Sequence, residues 1–141
     1  LERTKLALAV NDMVAKGVLK APIAFTRDHL DAGAMTHPNI MTVNLFDGSD
    51  VIADWPLINA MVNCASGADL VAIHSSGGGY SGYMTSAGVT VIADGSAEAT
   101  ERLQLSLTND TSLGIMRYAD AGYPEALDEA MQKGLHYISL T

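Results

Sequence analysis

Four clusters in this chain have residue types and spacings that can do chemistry. The first is Arg27-Asp28-His29-Leu30-Asp31, directly after the apolar run Ile23-Ala24-Phe25. Ligands gather at strand ends in open α/β sheets. Arg27 can grip a carboxylate with two hydrogen bonds, and His29 can move a proton near neutral pH, with Asp28 or Asp31 to orient it. The same residues can equally be loop groups in local salt bridges and caps. The second cluster is Asp47-Gly48-Ser49-Asp50 with Asp54-Trp55-Pro56. On one helix, Asp50 and Asp54 share a face, as a general base and its supporting acid would. Acids at a helix start also simply suit the macrodipole. No third carboxylate or histidine stands at metal-ligand spacing, so no metal site is expected.

The third cluster is His74-Ser75-Ser76-Gly77-Gly78-Gly79-Tyr80. Consecutive glycines let the backbone approach a ligand and offer N–H groups to an anion. The string matches neither the dinucleotide fingerprint nor the P-loop, and a flexible turn is the plain alternative. The fourth is Gly114-Ile115-Met116-Arg117 with Ala119-Asp120. Arg117 and Asp120 can pair across one helical turn. Gly114 inside a helical pattern costs about 1 kcal/mol against Ala, so either its missing side chain leaves needed space or the helix breaks there.

These clusters need elements to hold them. Residues 2–16 read as an amphipathic helix with Leu6, Val10, Met13 and Val14 on one face and Gly17 as a stop. Residues 31–49 form a long irregular stretch, of the kind that is functional or packs on another part of a protein. Asp50 to Cys64 reads as a helix, with Pro56 marking a kink or a late start. Leu70–Ile73 and Val89–Ala93 read as further buried strands. Helices follow over Ser96–Leu107, Ser112–Ala119 and Pro124–Lys133, with Gly134 as a C-cap. Strands that alternate with helices and are continuously apolar predict α/β architecture, with a mostly parallel sheet flanked by helices.

The totals agree with one domain. The chain has 141 residues, is 48% hydrophobic and carries net charge −8. That acidity argues against a nucleic-acid partner. One cysteine, Cys64, permits no internal disulfide and reads as a small buried hydrophobe, so a reducing cytoplasm is the expected compartment. No apolar run is long enough to span a membrane, and no signal-peptide pattern opens the printed sequence.

Taken in order, the strings resemble the urocanate hydratase (urocanase) family, C-terminal part. They are Arg27-Asp28-His29-Leu30-Asp31, Pro38-Asn39, Asp47-Gly48-Ser49-Asp50, Ala53-Asp54-Trp55-Pro56-Leu57 and Asn59-Ala60. Ala65-Ser66-Gly67-Ala68, His74, the triple glycine, Asp94-Gly95, Asn109-Asp110, Gly114-Ile115-Met116-Arg117 and Ala119-Asp120-Ala121-Gly122-Tyr123 complete the set. The resemblance runs from about residue 20 to about residue 134.

That resemblance implies NAD-dependent addition of water to urocanate, giving imidazolonepropionate in histidine degradation. NAD acts there as an electrophile toward the substrate ring, not as a hydride carrier. It implies a homodimer of longer chains, with a central NAD-binding domain set into a core made by the N- and C-terminal parts. These 141 residues are then part of that core, need the rest of the urocanase chain, and are expected to be inactive alone. Asp54, Asp28, His29 and Asp31 are the expected catalytic groups. Gly114, the glycine of the family's Gly-hydrophobic-Met-Arg motif, and Gly77, Gly78 and Gly79 are the expected cofactor contacts. One position departs: the family's active-site cysteine follows the Arg-Asp-His-Leu-Asp motif directly, and here that residue is Ala32. A branch that never used the thiol, a hydratase for a modified imidazole acid, and a non-catalytic ligand-binding or oligomerising module all fit that change.

Overall fold

The run Val89–Ala93 belongs to a longer strand, β4 (Thr85–Ala93), on which every other strand is built. Its first half, Thr85-Ser86-Ala87-Gly88, is small and mixed, so it carries little strand propensity of its own. In a computed structural model, which describes residues 2–27, 31–37, 44–75 and 84–135, β4 pairs with β1 (Ile23–Arg27), β2 (Met35–Thr36) and β3 (Leu70–His74). The side chains of residues 32 and 50 stand outside that description.

The sheet is antiparallel in all three ladders, which corrects the expected parallel one. Only ten residues separate β3 from β4, too few for a helical crossover. The two strands therefore lie side by side in opposite directions. The continuous apolar character of β4 arises instead from its central place, with Ser86, Ala87, Val89 and Val91 all buried. Ser86 pairs with both Met35 and His74, so β2 and β3 lie on opposite edges of β4. Val89 likewise pairs with both Arg27 and Val71, which puts β1 on the β2 edge. Helix α2 (Asp54–Ala65) connects β2 to β3, which run parallel with β4 between them, a split βαβ arrangement.

The helices pack on one sheet face. Val89, Val91 and Ala93 alternate inward and meet Ala7 of α1 (Glu2–Ala15) and Ala99, Leu103 and Leu107 of α3 (Ala97–Asp120). Ala87, on the same face, meets Ala60 of α2 and Ala34. On the other face the hydroxyls of Thr26 and Thr90 bond to each other at 3.0 Å. Helix α4 (Pro124–Lys133) packs along α3 and ends at Gly134, whose φ of 63° is the left-handed cap the sequence anticipated.

Three helix expectations change. The stretch 97–120 is one helix of 24 residues: it continues through residues 108–111, where two helices were expected to be separate, and through Gly114. Helix α2 starts at Asp54, and Ser49–Val51 form a separate 3-10 turn, so Asp50 and Asp54 do not share a helix face. Pro56 sits in the first turn of α2, where a proline is tolerated. Helix α1 turns Thr4, Ala7 and Asn11 inward and leaves Leu6 and Met13 exposed. Asn11 explains that rotation. It donates to Ser96 O at 3.0 Å and Thr100 Oγ1 at 2.9 Å, and accepts from Gly95 N at 2.8 Å. Among the described residues no helix is long and apolar enough to cross a membrane.

Candidate functional site

The ladder registers create the site. Between Arg27, opposite Val89, and Met35, opposite Ser86, the edge advances eight residues while β4 advances three. Five residues more stand between the two ladders on this edge than on β4, and the Asp28–Asp31 string falls in this edge excursion. Of that excursion the structure describes Asp31 and a 3-10 turn over Ala32–Ala34. Asp31 is exposed and caps the turn, its Oδ1 accepting from Gly33 N at 2.8 Å.

Arg27 is buried at the first root of the excursion. Its Nε donates to both carboxylate oxygens of Asp110, at 3.0 and 2.8 Å. Its Nη2 donates to Asn59 Oδ1 and its Nη1 to Ala87 O, each at 2.7 Å. Arg27 thus grips a carboxylate of the chain itself, the salt-bridge alternative to a ligand contact. Asp110 Oδ1 also accepts from Asn59 Nδ2 and Asn63 Nδ2, both at 3.1 Å, and Arg3 Nη1 approaches Oδ2 at 3.3 Å. A buried carboxylate is tolerable only with such partners.

The network dictates how α2 is turned. Asn59 and Asn63 lie one turn apart and must face Asp110. The helix therefore exposes Leu57, Ile58 and Met61, the last at 70%. Cys64 is exposed on α2 as well, which corrects its reading as a buried hydrophobe.

The second root and the floor of the excursion rest on α3. Arg117, fully buried, donates through Nη1 to Met35 O at 2.5 Å. Gly33 lies against Gly114: a Cβ at Gly33 would come within 3.1 Å of the Gly114 Cα. A Cβ at Gly114 itself would meet nothing within 4 Å among the described residues. The space a side chain at Gly114 would fill is thus open among the described residues, and the close approach requires glycine at 33 rather than at 114.

The other predicted residues divide as follows. Asp54 is exposed in the first turn of α2. His74 ends β3, half-buried, opposite Ser86. Asp28, His29, Gly77, Gly78 and Gly79 lie outside the described residues. The irregular stretch does dock on another element: Leu45 packs with Met35, Met84 and Ala121, and the Phe46 ring stacks on Tyr123 at 3.8 Å.

Sequence reasoning gave Asn59, Asn63 and Asp110 no structural role. Their one signal was polar residues recurring on otherwise apolar helices. Gly33 carried no signal. Two shallow grooves beside α3, between Thr4, Lys5, Leu8, Gln104 and Thr108 and over Glu101 and Leu105, contain none of the predicted site residues. Among the described residues no three His, Cys, Asp or Glu side chains gather as a metal site would require.

Against this geometry, the family model described as the urocanase C-terminal domain matches residues 1–132.

Proposed function

Because the chain belongs to the urocanase family, as its C-terminal domain, we propose that it supplies acid–base and cofactor-contacting groups to a urocanate hydratase. The match over residues 1–132 carries this reading. The reaction adds one water to urocanate and gives imidazolonepropionate, a step of histidine breakdown. NAD, when bound, supplies an electrophilic nicotinamide that activates the substrate ring.

Gly114 fits such a group, since the space beyond its Cα is open among the described residues. A flat ring can approach bare backbone there more closely than any side chain would allow. Gly77, Gly78 and Gly79 would add backbone N–H groups to the cofactor side. Asp31 and Asp54 are both exposed and can accept a proton or hold a water. Asp28 and His29 precede Asp31 on the same excursion and complete the acid–base set. The working protein would be a homodimer in the cytoplasm, with the rest of the urocanase chain around this segment.

A second reading is favoured by one residue. Ala32 stands where the family carries its active-site cysteine, which fits a hydratase for a modified imidazole acid. The test is to incubate the longest protein the gene encodes with urocanate and follow its ultraviolet absorbance, with and without added NAD. NAD-dependent loss is expected. No loss from a folded protein that retains NAD overturns the urocanate assignment and leaves the second reading or a non-catalytic module.

A further inference from the structure

One line of α3 runs Leu103, Leu107, Asp110, Gly114, Arg117, with alternating steps of four and three, so all five lie on one helical face. The first two are core residues against β4. The last three each touch the edge excursion at a different point. Asp110 holds Arg27 where the excursion leaves β1. Gly114 meets Gly33 on its 3-10 turn. Arg117 holds the Met35 carbonyl where the chain rejoins the sheet.

A buried ion pair such as Arg27–Asp110 is weak evidence for stability, since apolar residues of similar volume commonly do as well. What it gives here is a fixed angle and distance between α3 and the strand root. From this we infer that Asp110 and Arg117 are positioning residues: with Gly114 they form a three-point mount that seats the Asp31 turn on α3. The mount ties two parts of the proposed site to one rigid helix. The space over Gly114, open among the described residues, and the carboxylate of Asp31 are then held at a constant separation. Displacements of about 1 Å cost on the order of 10²-fold in rate when groups must be aligned.

This inference rests on the hydratase reading for its catalytic consequence, but not for its structural one. The test uses the longest protein the gene encodes in four forms: wild type, Arg117→Met, Arg117→Lys, and the apolar pair Arg27→Met with Asp110→Leu. The double variant avoids leaving a buried charge alone and so guards against simple unfolding. Hydrogen exchange is read at Gly33 and Ala34, whose N–H groups are held by Asp31, and along β4. NAD content, kcat and KM are read on the same samples.

Exchange at Gly33 and Ala34 should rise by roughly tenfold or more in Arg117→Met and the double variant, with β4 unchanged. There kcat should fall on the order of 10²-fold with KM and NAD content kept, and Arg117→Lys should recover part of it. Unchanged exchange at the turn, or an equal rise along β4, overturns the mount. So does a kcat loss matched by NAD loss. If the wild type does not consume urocanate, the hydratase reading fails, and the exchange result alone decides the mount.

Discussion

Gly33 and Gly114 face each other across the junction of the 3-10 turn and α3, but the two positions are not equivalent. A Cβ at Gly33 would sit 3.0 Å from Asp31 Oδ1 and 3.1 Å from the Gly114 Cα. One at Gly114 would meet nothing within 4 Å among the described residues. Gly33→Ala should therefore cost about 1–3 kcal/mol by overpacking. Gly114→Ala should raise helix stability by about 1 kcal/mol. It should also weaken NAD retention if the open space holds the cofactor. Urea unfolding of both variants, with NAD content measured beside it, checks the asymmetry. Equal destabilisation would refute it.

The Arg27–Asp110 pair gives a sharper stability test. Both side chains are at most 5% exposed, so the interaction is little screened. Asp110→Ala leaves the guanidinium buried without its counter-charge, and the expected loss is about 3–5 kcal/mol. Arg27→Met with Asp110→Leu should lose much less than the two single changes added together. Additive losses in a double-mutant cycle would show that the pair is not energetically coupled.

The start of α3 predicts a pH effect. Asp94 is held below the ordinary aspartate range chiefly by the Ser96 hydroxyl, and next by the Ser96 backbone N–H; Arg102 adds a smaller pull and desolvation opposes. A carboxyl lowered in the folded state contributes stability above its unfolded pKa and loses it as pH falls through the folded one. The stability gap between wild type and Asp94→Asn should be present at neutral pH and close in strongly acidic buffer. Ser96 also caps Ala99 N at 3.0 Å, so Ser96→Ala should cost about 1 kcal/mol at neutral pH. A pH-independent gap for Asp94→Asn would contradict the hydrogen-bond origin.

Cys64 is exposed on α2, so the native chain should react with a thiol reagent at a rate within a few-fold of the urea-unfolded chain. Protection of 10²-fold or more would place Cys64 in an interior that this orientation of α2 does not allow.

The local elements were largely legible. Helical spacing, the glycine stops and the apolar runs located α1, α2, α4 and strands β1, β3 and β4 to within a few residues, while β2 fell in the stretch read as irregular. Strand direction was not, because continuous apolar character reports burial on two faces and is silent on direction; the short β3–β4 connection was the better guide. Asn11, Asn59 and Asn63 defeated the amphipathicity rule in the same way. Each is drawn inward by a long-range partner, Ser96 and Thr100 for the first and Asp110 for the others, and carries the helix face with it. The motif strings singled out the stretch after β1 and Gly114, and the described residues bring Gly33 of that stretch against Gly114. That one face of α3 joins them depends on the eight-against-three register, which no local pattern encodes.

The roles proposed for the acid–base set are tested most directly by turnover of its amide-type replacements. Asp28→Asn, His29→Asn, Asp31→Asn and Asp54→Asn would each be made in the longest protein the gene encodes and assayed with urocanate at saturating NAD. Loss of a general acid or base should lower kcat by about 10²–10⁴-fold while NAD is retained, in at least one of Asp31→Asn and Asp54→Asn. All four variants turning over within twofold of wild type would contradict the roles given to these residues.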